Sequence, residues 1–314
     1  MDVIAVTHNS AREIEGLLDS IPDARGAADA SVAVVDNASS DDTARVVGSR
    51  TDCVLVHAPN LGYAAGVNRG VAALAGDGPI LVTNPDVRLA PGCITEMVSE
   101  LSRPGVGIVV PRLHDPDGTV ARSLRREPTV ARSLGAGDSR HPRFSEIVNE
   151  PDAYETAHDI EWATGAVMLI ARACFDELGG FDESFFMYSE ETDFCLRARD
   201  AGWSVRFTPA AEAVHVGGAS GRNPDLYAMQ VLNRIRLYRR RHGLASTSAL
   251  VSLVGAREAV FALRGVPDSR RALECLCRPS RRPRQLGWSG LLRRTAAHDA
   301  RPTTARTGSG EGLP

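Results

Sequence analysis

Short apolar runs recur along the first third of the chain, each closed by turn-forming or polar residues. Val3–Thr7, Ser31–Asp36, Cys53–His57 and Ile80–Thr83 are β-branched or apolar stretches of this kind, and each predicts a buried strand. Helical stretches lie between them, at about 10–20, 41–49 and 63–75, with a fourth at 91–102. Strands alternating with helices predict a parallel sheet covered on both faces, in which ligands bind beyond the carboxyl ends of the strands. The polar residues at those ends therefore carry the interest. They are Thr7-His8-Asn9, the run from Asp36 to Asp41, and Asn84-Pro85-Asp86. Helix capping and turn chemistry account for any one of them. Three along one sheet edge predict a site.

Two further segments add chemistry. Asn60-Leu61-Gly62-Tyr63-Ala64-Ala65-Gly66-Val67-Asn68 follows the third strand and matches neither a dinucleotide fingerprint nor a phosphate-binding P-loop. Its glycines permit close backbone approach to a ligand, or tight packing of a helix start. Residues 179–203 place Glu190, Glu191 and Asp193 in the first turn of a helix, after the aromatic run Phe185, Phe186 and Tyr188. Aromatic walls beside carboxylates suit sugar binding and proton removal. The structural alternative is Ser189 as N-cap, acids complementing the helix dipole, and an Asp193–Arg197 pair at i+4.

Composition bounds these readings. The 314 residues suffice for one large domain with appendages, and 43% hydrophobic with 24% charged residues is ordinary for a globular protein. All 36 basic residues are arginine, which reads as codon bias. Six scattered cysteines fit buried thiols in a reducing, cytoplasmic compartment. No signal peptide and no spanning helix are expected. From Phe261 onward, eleven arginines face four acids, although the whole chain carries −3. Such a tail favours an anionic membrane surface or solvent, and residues 296–314 are expected to be disordered. An acidic body without a recognisable module argues against nucleic acid.

The motifs VTHNS, VVDNASSDDT, NLGYAAGVNRG, TNPDV, WATGAVMLIAR and GGFDESFFMYSEETDFCLRARDAGW resemble those of family 2 inverting glycosyltransferases, over about residues 1–220. Within that family the chain is most similar to bacterial rhamnosyltransferases that use dTDP-L-rhamnose, and Pro111–Gly118 with Arg122 and Arg125 is similar to the same subgroup. The resemblance implies an α/β fold of the GT-A, Rossmann-like type, with a mixed, mostly parallel sheet flanked by helices. Residues 1–220 would form this domain, 221–295 a helical C-terminal extension and 296–314 the tail. It places Thr7, Asn9, Asp36, Asn60, Gly62, Asn68, Asn84 and Asp86 at a nucleotide-sugar donor, either dTDP-rhamnose or a UDP-sugar. Asp86 and His215 would hold a divalent cation, Mg²⁺ or Mn²⁺. Glu191 would be the general base, with Glu190 and Asp193 around it. Trp162, Gly165 and Ala166 would line the side of a glycan or polyprenyl-diphosphate-linked acceptor. Two positions depart from the family pattern: Asn84 replaces an acid, and Glu191 stands where aspartate is usual.

Between 111 and 158 the pattern is irregular and arginine-rich, and reads as a functional or solvated loop. Beyond 220, helices are expected at 225–242 and 246–264, with Gly243 as a C-cap. The first should pack on the catalytic domain. The second either packs or touches the inner face of the cytoplasmic membrane. A nucleotidyltransferase is disfavoured because no Arg- and Lys-bearing loop follows the first strand, and a non-catalytic module is disfavoured by the retained acids.

Overall fold

The computed structural model describes residues 1–134, 141–217, 223–283 and 285. The expected tail at 296–314 lies outside the described residues. Four parallel strands form the first half of the sheet: β1 (Asp2–Thr7), β2 (Ser31–Asn37), β3 (Val54–Ala58) and β4 (Ile80–Thr83). Alternate residues serve opposite faces, as the pleat requires. Ile4 and Val6 join the core under one layer of helices, while Val3 and Ala5 join the core under the other.

Helices α1 (Ile14–Arg25), α2 (Thr43–Gly48), α3 (Tyr63–Leu74) and α4 (Cys93–Leu101) connect these strands. α1 starts four residues later than its apolar pattern suggests. Asn9 adopts a left-handed conformation, φ 55°, and the chain turns before Ile14 begins the helix. Gly66 and Gly70 let α3 lie directly on β1, since a Cβ there would meet Val6 and Ile4 side chains at 2.6 and 2.5 Å.

The second half is where the sheet becomes mixed. The segment 111–158 that reads as an irregular loop takes in the end of β6 (Val106–His114), then β7 (Leu124–Arg125) and the short helix α5 (Val130–Leu134), and β8 (His158–Ile160) and β9 (Trp162–Ala163) follow at its end. β10 (Val167–Ile170) runs antiparallel between β4 and β6, and β11 (Ser204–His215) closes beside β6. β5 (Val87–Leu89) pairs with the end of β11, giving the order β3-β2-β1-β4-β10-β6-β11-β5, with β8 also on β11. Helices α6 (Arg172–Leu178) and α7 (Glu190–Asp200) cover the same face as α3. This is the expected mixed, mostly parallel α/β sheet flanked by helices.

Three helices follow: α8 (Pro224–Arg241), α9 (Leu244–Leu263) and α10 (Pro267–Cys277). Gly243 is not a left-handed C-cap. Its φ of −68° is extended, and it precedes α9 as that helix's N-cap. α8, α9 and α10 share a core that reaches Phe186 and Met187 of the loop before α7.

Candidate active site

The site assembles at the carboxyl edge of the parallel half-sheet. Thr7 and Asp36 lie side by side in register at the ends of β1 and β2. The Thr7 hydroxyl donates to the Val35 carbonyl at 3.2 Å, while Asp36, buried, accepts the Ser39 N–H at 3.2 Å. The exposed His57 ring stands 3.9 Å from the Asp36 carboxylate. Asn9 ties the two loops together: its N–H reaches the Ser39 hydroxyl at 2.9 Å and its amide oxygen accepts the Ser40 N–H at 2.7 Å. Strained backbone gathers here. Of the five described non-glycine residues at positive φ, Asn9 and Ala38 follow β1 and β2, and Tyr188 and Ser189 precede α7. Each costs of order 1–3 kcal/mol, a cost that persists mainly where function holds it in place.

Asp86 follows β4. It is buried, and its Oδ1 lies 3.3 Å from His215 Nε2 at the end of β11. The hydrogen bond to Asp86 raises the His215 pKa, the Asp115 charge adding to it, so the ring favours its cationic form when it faces the acid alone. Asn84 is held through its backbone, its N–H donating to the Ala166 carbonyl at 2.9 Å. Among the described residues no cluster of three His, Cys, Asp or Glu ligands occurs. One carboxylate and one imidazole supply two donors, and a divalent cation held there would keep waters and take substrate phosphates for its remaining positions.

Glu190 and Glu191 open α7 on the other side. Glu190 is buried and its pKa is raised well above the ordinary value, by burial first and then by the Glu191 and Asp193 charges. Burial also raises Glu191, against the pull of nearby backbone N–H groups and the Arg125 charge. The Oε2 atoms of both are shut from solvent and have no hydrogen-bond partner in the protein. Gly165 explains how Glu191 fits: a Cβ there would stand 3.1 Å from the Glu191 Cβ. Ser189 does not cap the helix through its side chain. It and Tyr188 adopt φ of 74° and 67°, a sharp turn that delivers the two glutamates.

The other expected residues serve other roles in the structure. Asp193 is spent on two guanidinium groups, Arg197 Nε at 2.7 Å and Arg240 Nη1 at 3.2 Å, so it joins α7 to α8. Trp162 is packed into the core. It is 7% exposed, and its indole N–H donates to the Arg126 carbonyl at 2.9 Å. Asn68 clasps the backbone of Phe181 through both amide atoms, at 2.9 Å each, and donates to Glu183. Asn60 accepts the Gly62 N–H at 3.3 Å, shaping the loop.

Gly62 has φ 103°, and a Cβ there would stand 2.1 Å from the Phe186 carbonyl oxygen, which accepts the Tyr63 N–H at 2.8 Å. The glycine-rich loop and the loop that precedes Glu190 and Glu191 therefore meet directly. Arg125, one of the arginines of the irregular segment, feels the Glu191 charge, while two features escaped sequence reasoning: the Tyr63 hydroxyl and Arg240. The last had a local signal, since Arg236 and Arg240 lie at i and i+4 on one face of α8, both over the Phe185 ring.

An antiparallel strand inserted beside a nucleotide-binding parallel half-sheet is the arrangement of GT-A glycosyltransferases, and the chain is a glycosyltransferase. The sequence profile of Glycosyl transferase family 2 matches residues 2–189, and the chain belongs to that family. It is 34% identical over 243 residues to N-acetylglucosaminyl-diphospho-decaprenol L-rhamnosyltransferase of Mycobacterium tuberculosis, covering 71% of this chain and 78% of that one. The mannosyltransferase PcManGT of Pyrobaculum calidifontis, solved with GDP-Man and Mn²⁺, superposes with TM-score 0.55 at 17% identity, over 91% of this chain and 86% of the other. GalNAc-T7, solved with UDP, GalNAc and Mn²⁺, gives 0.57 at 13% identity over 76% of this chain and 47% of that one.

Proposed function

We propose that this enzyme moves L-rhamnose from dTDP-L-rhamnose to a hydroxyl of a polyprenyl-diphosphate-linked cell-envelope sugar, with inversion at the anomeric carbon. The observation that carries the reading is the pair of unpaired, buried glutamate oxygens at the start of α7, in a site that also holds the Asp86–His215 pair. Identity to the mycobacterial L-rhamnosyltransferase supports the sugar and the lipid-linked acceptor. A galactofuranosyl or N-acetylhexosaminyl donor on UDP is the alternative.

Thr7 and Asp36 would hold the base and ribose, with Asn9 fixing the loops around them. Asp86 and His215 would hold a divalent cation, which when bound offsets charge on the leaving diphosphate. Glu191 would take the proton from the acceptor hydroxyl, which attacks the anomeric carbon from the face opposite the diphosphate. A raised pKa suits a base that must accept a proton near neutrality. Glu190, charged or not, tunes its neighbour by proximity. Arg125 faces the same carboxylate and is placed to meet an acceptor phosphate.

Residues 1–220 serve as the catalytic unit in this reading, and 221–295 as its helical extension. α9 supports membrane contact. Its 20 residues have a mean hydropathy of 1.2 over the most apolar window, of which 22% is buried. Thr247, Leu250, Val254 and Glu258 face inward, while Val260, Phe261 and Leu263 are exposed. With Arg257 exposed in its last turns and Glu258 packed inward, the helix would lie on an anionic surface rather than cross it.

The test is a donor screen of dTDP-rhamnose against UDP-sugars, scored by nucleoside diphosphate release with and without Mg²⁺ or Mn²⁺. Release from dTDP-rhamnose, dependent on metal and on a prenyl-diphosphate-linked acceptor, is expected. Release from UDP-sugars alone would overturn the rhamnose assignment.

A further inference from the structure

Tyr63 opens α3 directly after Gly62, and its backbone is pinned: the N–H donates to the Phe186 carbonyl at 2.8 Å. The ring packs against the core under α3. Its Oη is shut from solvent and has no hydrogen-bond partner in the protein. After burial, the charges felt at this hydroxyl are those of Glu190, Glu191 and Asp86, which together keep it a neutral phenol. A buried hydroxyl with nothing to bond is costly, and a fold built for stability alone would carry phenylalanine here.

We propose that Tyr63 is a specificity-determining residue whose hydroxyl bonds a ring hydroxyl of the sugar being transferred. The reasoning is positional. In the transferase reading, on which this inference rests, the diphosphate sits by Asp86 and the acceptor by Glu191. The transferred ring must lie between them, and Tyr63 Oη is an unpaired hydroxyl close enough to both to feel the charges of Asp86 and Glu191. A phenol both donates and accepts, so it matches a sugar hydroxyl, and a polar group left unpaired without the right sugar discriminates strongly against a donor that lacks the matching hydroxyl. The neighbouring Glu190 and Glu191 Oε2 atoms, equally unpartnered, are available to complete the recognition of the ring or of the incoming hydroxyl.

Tyr63→Phe isolates the hydroxyl while keeping the ring that packs against the sheet. Because nothing in the protein bonds that hydroxyl, the variant should fold as wild type, with Tm unchanged or raised by about 2–4 °C. Its kcat/KM for the preferred nucleotide sugar should fall about ten- to a hundred-fold. Affinity for the bare nucleoside diphosphate should be unaltered. Donors lacking one ring hydroxyl complete a double-variant cycle. At one ring position, wild type should lose on the deoxy donor what Tyr63→Phe loses on the parent sugar, and the two losses together should not multiply. Losses that multiply for every deoxy donor, or a Tyr63→Phe enzyme equal to wild type, would overturn the assignment while leaving the transferase reading intact. Weaker binding of the bare diphosphate would place the hydroxyl on phosphate instead and equally overturn it. A wild-type enzyme that turns over no nucleotide sugar would remove both.

Discussion

Replacing Arg240 by methionine should loosen the active site from behind. Arg240 is 6% exposed and its guanidinium joins three parts of the chain. Nη1 lies 2.6 Å from Asp182 and 3.2 Å from Asp193, and Nη2 donates to the Ser184 hydroxyl at 2.9 Å. The group also rests 4.5 Å from the centre of the Phe185 ring. Breaking a buried pair by removing one partner typically costs about 3–5 kcal/mol. Asp193 keeps Arg197 at 2.7 Å, and the Asp182 side chain is 25% exposed, so the low end applies: about 3 kcal/mol. At about 2 °C per kcal/mol for a chain of this size, Tm should fall by about 6 °C. The residues so released, 182–189, deliver Glu190 and Glu191 through the strained turn at Tyr188 and Ser189. Misplacing a base by about 1 Å costs on the order of 100-fold, so kcat should fall by that order while nucleoside diphosphate affinity at the distant ends of β1 and β2 is kept. Thermal scanning, steady-state kinetics and diphosphate binding test this together. Arg240→Lys should restore only part of the loss, since an ammonium cannot span the same partners. A variant with wild-type Tm and kcat would refute the view that α8 holds the base in place.

Other expectations are briefer. Glu191→Gln should cut kcat by ~10²–10⁴ with little change in nucleotide affinity, and near-full activity would show that another group is the base. Because the Glu191 pKa is raised, kcat/KM should rise with pH at values above the usual glutamate range, a limb that the Gln variant lacks. For stability the sign runs the other way. Folded Glu190 holds its proton above the ordinary value of 4.5, so stability should fall as pH rises from there through the raised folded value. Glu190→Gln should flatten that fall and be the more stable protein near neutrality, as denaturant titrations at several pH values would reveal. Leu263→Asp combined with Phe261→Asp should weaken sedimentation with anionic vesicles yet spare turnover of a soluble acceptor, and unchanged sedimentation would place membrane contact elsewhere.

The four parallel strands were legible because each is a continuous apolar run, and buried parallel strands leave no other signature. Asp36 and Asp86 were legible as strand-end polar residues. The second half of the sheet was not. β7 and β9 have two residues each, too few for any period to show, and β6 carries Pro111 in its interior. Local sequence does not show the surroundings of Asp193 and Trp162, because an acid and an aromatic beside a site look alike whether they face it or the core. What decides is a partner far along the chain: Arg240 for Asp193, Arg126 for Trp162, and Phe181 for Asn68, 113 residues distant. Ser189 failed as a cap for a related reason. Its backbone is bent to aim Glu190 and Glu191, and the usual capping geometry needs an extended residue there.

The position of β10 has a consequence for how the polypeptide is made. Strands β1 to β4 can pair as they emerge from the ribosome, each beside a neighbour already present. β6 cannot, because the strand that separates it from β4 is synthesised more than fifty residues later. Until Val167–Ile170 arrives, β4 and β6 each present an open edge rich in valine and isoleucine, the kind of surface that recruits other chains. A chain cut before residue 167 should therefore aggregate, whereas one carried past β11 closes its sheet, and the nascent enzyme depends on speed or chaperone cover over that interval.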